Sequence, residues 1–358
     1  MYAAFLGICD ASILNFLLCH PKPTFYESIN EERDAMPEEL YPGLYRNKIP
    51  LPKSPLKYLN SYVVKGDERN LVIDTGLNRD VCKEAMMEGL AELDISLESV
   101  DLFITHLHAD HFGLVSEMAT ANTRIYFNKP DSEMIENWQG FDPMIRYGGK
   151  HGFPESALRD ALDQHPGFKY GTGWMPGLSL ISDGDTLTYG PYEFACVQTP
   201  GHTQGHTCLY NAKHRFLIAG DHILYDITPN IQCWNEDTDP LKAYMESLDK
   251  VYQLPVDRVL PGHRNLFDNY QDRIDELKNH HIDRLEEILG ILADSAQALS
   301  AYQVASRMHW DISAKDWEAF PVAQKWFATG EAIAHLRLLE NEGRIHREQA
   351  DPVILFRA

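Results

Sequence analysis

Thr105-His106-Leu107-His108-Ala109-Asp110-His111 puts three imidazoles and a carboxylate into six consecutive positions, 106 to 111. These are the side chains from which proteins build zinc and other transition-metal sites. Residues spaced i, i+2 on an extended strand share a face, so His106 and His108 are expected to hold one ion together. Asp110 and His111 follow where the chain turns, within reach of a second ion beside the first. A lone histidine is usually a core or surface residue. Four ligand-type groups at this spacing share a cause.

The surrounding sequence supplies a place to hold such groups. The apolar run Val100 to Ile104 predicts a buried strand, extending to His106, and Phe112 to Met118 predicts the opening of a helix. The cluster therefore falls on a strand-to-helix turn. Three further candidates also sit at the ends of apparent strands. They are Thr199-Pro200-Gly201-His202-Thr203-Gln204-Gly205-His206, Ala219-Gly220-Asp221-His222 and Leu260-Pro261-Gly262-His263. A Pro-Gly pair makes a tight turn that can present the next side chain to a site. A carboxylate can give an oxygen to each of two cations, which an imidazole cannot do, and this marks Asp221 as a bridging ligand. Asp74, in Asp74-Thr75-Gly76, ends another predicted strand and reads as a turn-capping residue or a support for the site.

The string His106 to His111 resembles the HxHxDH signature of the metallo-β-lactamase-fold hydrolases. Thr199 to His206 resembles the TPGHTxGH phrase of the glyoxalase II branch of that family. The resemblance implies an α+β protein built as an αββα sandwich. It also implies a site for two divalent metal ions, zinc first, with iron or manganese as alternatives. His106, His108 and His202 would bind one ion, Asp110, His111 and His263 the other, and Asp221 both. Asp74 would accept a hydrogen bond from a liganding imidazole, and His206 would hold its loop. All seven ligand positions of the pattern are filled. The implied chemistry is hydrolysis by a hydroxide formed between the ions, with Asp110 and Asp221 as catalytic residues.

The resemblance covers roughly residues 44 to 265 and divides the chain. Residues 1–42 read as an N-terminal arm, polar and proline-marked from Pro21. Residues 43–265 read as the catalytic domain, with strands, helices and an aromatic-rich insertion at 128–180 that could form a lid or substrate wall. Residues 266–358 read as helices at Tyr270–Leu289, Ser300–Trp310 and Pro321–Asn341, followed by a small hairpin. That order resembles the winged-helix-like module attached to some members of the family. A packing, dimer or substrate-pocket role suits it better than nucleic-acid binding.

Composition narrows the function further. The 358 residues carry a formal net charge of -21, which argues against a partner held by phosphate neutralisation. No apolar run is long enough to span a membrane, and the first twenty residues lack a basic start and a cleavage site. The six cysteines are scattered without a CxxC pair, as expected of reduced thiols in the cytoplasm. The expected reaction is cleavage of a thioester, ester or lactone of a small organic molecule. The alternatives are a phosphodiesterase acting on RNA and a di-iron redox protein. A homodimer fits the C-terminal module.

Overall fold

The computed structural model describes residues 36–52, 54–162, 177–311 and 314–358. Two sheets lie face to face. The first has seven strands in the order β1 to β7: Glu38–Tyr41, Leu44–Pro50, Tyr58–Val64, Asn70–Ile73, Val100–Phe103, Ile125–Asn128 and Ser179–Ile181. Strands β1 to β4 form an antiparallel meander, and β4 to β7 run parallel. The second sheet holds β8 (Thr186–Tyr189), β9 (Tyr192–Gln198), β10 (Thr207–Asn211), β11 (Phe216–Gly220) and β12 (Arg258–Pro261).

Alternation along these strands builds the layers. In the first sheet Tyr62, Val64, Leu71, Ile73 and Phe103 face the second sheet, where Phe194, Cys196, Leu209, Phe216, Ile218 and Leu260 meet them. Their neighbours Val63, Val72 and Leu102 turn outward onto helix α1 (Asp80–Glu92) and the short helices α2 (Ala109–Phe112) and α3 (Val115–Met118). Likewise Val197, Cys208, Leu217 and Val259 turn outward onto helices on the opposite side. The result is the four-layer αββα sandwich that the sequence implies.

Helices α4 (Lys129–Glu136), α5 (Asp142–Lys150) and α6 (Glu155–Leu162) occupy the described part of the insertion. Helix α7 (Pro240–Tyr252) lies between β11 and β12, and after β12 come α8 (Tyr270–Ala293), α9 (Ala301–Ala305) and α10 (Val322–Asn341), then the hairpin β13 (His346–Ala350) and β14 (Val353–Arg357). Helix α8 buries Ile274, Leu277, His281, Leu285, Ile288 and Leu292, a single helical face. Helix α10 is buried almost all round. Its Trp326 and Phe327 join Met144, Ile145, Phe153 and Leu158 of the insertion in one core. The insertion thus packs against the C-terminal helices.

Three expectations need correction. The stretch read as an arm to residue 42 does not lie wholly outside the sandwich, because Glu38–Tyr41 is an edge strand. Tyr41 stacks on Phe216 at 4.9 Å, and Glu39 accepts from the Gly43 amide at 2.9 Å. Its polar residues suit an edge and disguise it as a linker. The strand before the histidine cluster stops at Phe103, because the Thr105 amide leaves the ladder for the Asp74 carboxylate at 2.8 Å. His106 and His108 therefore meet across a loop and not along a strand face. The helix expected over Ser300–Trp310 is regular only over Ala301–Ala305. A Ser300–Gln303 capping box starts it, and the Trp310 indole takes the Ala305 carbonyl at 2.7 Å. Residues Met1 to His20, Cys9, Cys19, His165, Phe168, Tyr170 and Trp174 lie outside the described residues.

Candidate metal centre

Five loops at one end of the sandwich meet at a single point. They follow β4 (Asp74), β5 (His106 to His111), β9 (His202, His206), β11 (Asp221) and β12 (His263). Open edges of this kind are where α/β folds collect ligand-binding groups, because strand ends are rigid and loops are free to vary.

The seven side chains expected to bind metal are brought together. Three overlapping sets have ligand atoms within 4.8 Å of one another: His106, His108 and His202; His106, His111 and Asp221; and Asp110, His111 and His263. His106 Nε2 lies 2.8 Å from His108 Nδ1, and His111 Nε2 lies 3.2 Å from His263 Nε2. The two carboxylates close the circle. His263 Nε2 is 3.4 Å from Asp110 Oδ2 and 3.5 Å from Asp221 Oδ2. Asp221 also reaches His111 Nε2 at 3.5 Å through Oδ1 and His202 Nε2 at 3.7 Å through Oδ2.

Further contacts fix which ring nitrogen faces the centre. Asp74 Oδ2 accepts from His111 Nδ1 at 2.7 Å, which leaves His111 Nε2 for the centre. Thr105 Oγ1 donates to Asp74 and sits 2.9 Å from His106 Nδ1, giving His106 the same tautomer. His202 Nδ1 donates to the Asn230 carbonyl at 2.9 Å, and His263 Nδ1 to the Tyr58 carbonyl at 3.1 Å. His206 is different. Its Nε2 accepts from the Asp221 amide at 3.1 Å, and its Nδ1 lies 2.8 Å from Thr199 Oγ1. Both nitrogens are thereby spent on holding the loops.

Electrostatics divides the centre into two halves. Burial, reinforced by the neighbouring imidazoles, holds His106 and His108 well below the usual histidine range; burial also lowers His202. These rings are neutral and their lone pairs available. Burial opposes charge on His111 and His263 as well, yet the surrounding carboxylates outweigh it. His111 lies well above its ordinary value, and His263 is raised to about 9. Burial works against Asp221 too, but His263 and His111 hold its carboxyl well below the usual range.

A cation fits what the residues leave undone. Among the described residues Asp110 Oδ1, Asp221 Oδ1 and His202 Nε2 are buried with no hydrogen-bond partner, a costly state unless something binds there. The backbone approaches to match: a Cβ on Gly262 would come within 2.6 Å of Asp221 Oδ1 and 2.9 Å of His111 Cε1. Asp74 carries its carboxylate on a backbone of φ +61°, a strained conformation of the kind that persists at functional sites.

Sequence reasoning missed several residues that build this centre. Thr105, Asn230 and Tyr58 act through contacts that no local pattern announces. Asn60 braces the His263 loop by donating to the Pro261 and Arg264 carbonyls at 3.0 and 2.9 Å. Asp131, the third residue of α4, accepts from two of the loops. The only local hint was its place three positions after the helix cap Asn128.

Comparison with known proteins agrees with this geometry. Residues 56–263 match the metallo-beta-lactamase superfamily model, and residues 286–358 match the metallo-beta-lactamase-like C-terminal domain. The probable metallo-hydrolase YqjP of Bacillus subtilis is 26% identical over 301 residues, covering 79% of this chain and 88% of that one. The human acyl-coenzyme A thioesterase MBLAC2 is 23% identical, covering 63% of this chain and 79% of its own. Among solved structures, the metallo-beta-lactamase family protein TTHA1429 of Thermus thermophilus superposes with a TM-score of 0.75 at 27% identity, over 89% of this chain and 99% of that one. A beta-lactamase domain protein from Burkholderia ambifaria shares the fold with a TM-score of 0.76 at 24% identity, over 90% of this chain and 94% of that one. The chain belongs to the metallo-beta-lactamase superfamily and is a metallo-hydrolase.

Proposed function

We propose that the centre holds two divalent cations, and that the protein cleaves a thioester, ester or lactone of a small organic molecule. The observation that carries this reading is the position of Asp221. Its Oδ2 lies 3.7 Å from His202 in one half and 3.5 Å from His263 in the other, and its Oδ1 lies 3.5 Å from His111, so a single carboxylate addresses both halves of the site. His106, His108 and His202 would hold one ion. Asp110, His111 and His263 would hold the other, and Asp221 would be shared. The imidazole-rich donor set suits zinc.

When bound, two such ions bring the pKa of a water near neutrality and polarise a substrate oxygen. The chain's own groups do the rest. Asp110 keeps Oδ1 free of any hydrogen-bond partner among the described residues. That oxygen is available to orient the attacking water and receive its proton. Asp74 and Thr105 hold His111 and His106 in the tautomers that present Nε2. The described cysteines are poor nucleophiles: burial pushes the Cys82 thiol up to about 11 and the Cys196 and Cys208 thiols up to about 12.

The substrate class draws support from a relative. MBLAC2, one of the relatives, is named as an acyl-coenzyme A thioesterase. The test is a hydrolysis screen of zinc-loaded protein against thioesters, esters, lactones, phosphodiesters and β-lactams. Turnover of acyl substrates, lost in Asp221→Ala, is the expected result. Turnover confined to phosphodiesters or β-lactams would overturn the substrate class.

A further inference from the structure

Asp131 lies outside every motif, yet its carboxylate is fully buried and accepts four hydrogen bonds. Two come from the His202 loop: Thr203 Oγ1 at 2.9 Å and the Gly205 amide at 2.8 Å. One comes from the loop of His106 and His108, through the Leu107 amide at 3.1 Å. The fourth is Asn128 Nδ2 at 3.3 Å, from the residue that caps α4. The Asp131 amide in turn donates to Asn128 Oδ1 at 2.8 Å, so the first turn of the helix fixes the carboxylate in place. The approach is tight: a Cβ on Gly205 would stand 1.5 Å from Asn128 Oδ1.

The other half of the centre has separate supports. Asp74 holds His111, the Tyr58 carbonyl takes His263 Nδ1, and Asn60 and Tyr62 brace the Pro261 carbonyl before His263. None of the hydrogen bonds to Asp131 comes from the loops of Asp221 or His263. From this division of labour, and on the two-ion reading above, we infer that Asp131 is a positioning residue for the three-histidine half alone. It ties the loop that carries His202 to the loop that carries His106 and His108, and so sets the spacing of the three imidazoles. A neutral amide at this position has one acceptor oxygen, and it would turn an N–H toward groups that are themselves donors.

Zinc titration against a chromophoric chelator, with the full-length chain, tests the inference. Wild type is expected to bind two ions. Asp131→Asn is expected to keep one tight ion and to bind the other about 10- to 100-fold more weakly, the usual cost of losing an outer partner of a metal site. Two backgrounds identify which ion is weakened. In a chain carrying His263→Ala, adding Asp131→Asn should remove the remaining tight ion. In a chain carrying His202→Ala, it should leave the remaining ion unchanged. Thr203→Val removes one of the four donors and guards against misfolding of the first variant. It should weaken the same ion by less. Equal loss of both ions, or undiminished affinity in both Asp131→Asn and Thr203→Val, would overturn the inference. A wild-type chain that bound a single ion would overturn the two-ion reading, and this inference with it.

Discussion

The chain buries histidines in two regions, and the contrast separates burial from chemistry. At the strand ends, His106, His108, His111, His202 and His263 face one another, and Asp221 or Asp110 lies within 4 Å of three of them. Among the helices and the hairpin, His151, His281 and His335 are as well buried. There His281 Nδ1 meets His335 Nε2 at 3.1 Å, His335 Nδ1 donates to the Glu331 carbonyl at 2.8 Å, and neither nitrogen of His151 has a hydrogen-bond partner among the described residues. Burial pulls His151 down to about 4 and His335 down to about 3, while carboxylates lift His263 to about 9. A histidine becomes a candidate ligand through convergence with other donors at rigid strand ends. Depth alone makes it a neutral core residue.

Mutations should respect that boundary. The largest effect is expected from Asp221→Ala, which should remove both ions and lower turnover about a thousandfold, equivalent to about 4 kcal/mol of barrier. Metal analysis alongside steady-state rates checks it; near-normal activity would break the distinction between the regions. His108→Ala and His263→Ala should each remove one ion and leave the other, with the fold intact by circular dichroism. Asp74→Asn should keep all seven proposed ligands but weaken metal binding about 10- to 100-fold, because a neutral amide has one acceptor oxygen for the Thr105 and His111 donors that two carboxylate oxygens now satisfy.

The smallest effect on the centre belongs to the other region. His151→Phe should leave metal content and turnover unchanged while altering acid stability. The sign follows from linkage. Folded His151 titrates near 4 against an unfolded value of 6.5, so the unfolded chain binds the proton first and stability is lost as pH falls through that window. Across the whole window this one residue costs about 3 kcal/mol, at roughly 1.4 kcal/mol for each pH unit between the two titrations. Denaturant titrations from pH 7 to pH 4 should show a shallower acid decline in His151→Phe. A change in its metal content would blur the contrast.

These two regions also differ in how far the sequence discloses them. The His106–His111 cluster and the Pro-Gly-His turns were legible because each is local, a few ligand-type residues at the end of an apolar run. The sandwich was legible through the resemblance those motifs carry; which face each residue takes was not, since Tyr62, Val63 and Val64 are all apolar and only the fold sends Val63 to the opposite side. The supports were not. Asp74 was read as a turn cap or a brace, and only its 2.7 Å contact with His111 distinguishes the two. Asp131 pairs with residues 72 and 74 positions away, and Asn60 with residues 201 and 204 away, separations over which no spacing rule operates. Strand β1 was hidden by the polarity of an edge, and His281 gave no sign of its partner 54 residues on.

The most direct test of the central claim is a crystal structure of the zinc-loaded protein with anomalous scattering recorded at the zinc edge. Two peaks about 3.5–4 Å apart are predicted. One should be bounded by His106, His108 and His202, the other by Asp110, His111 and His263, with Asp221 between them. A single peak, or peaks elsewhere on the molecule, would contradict the account.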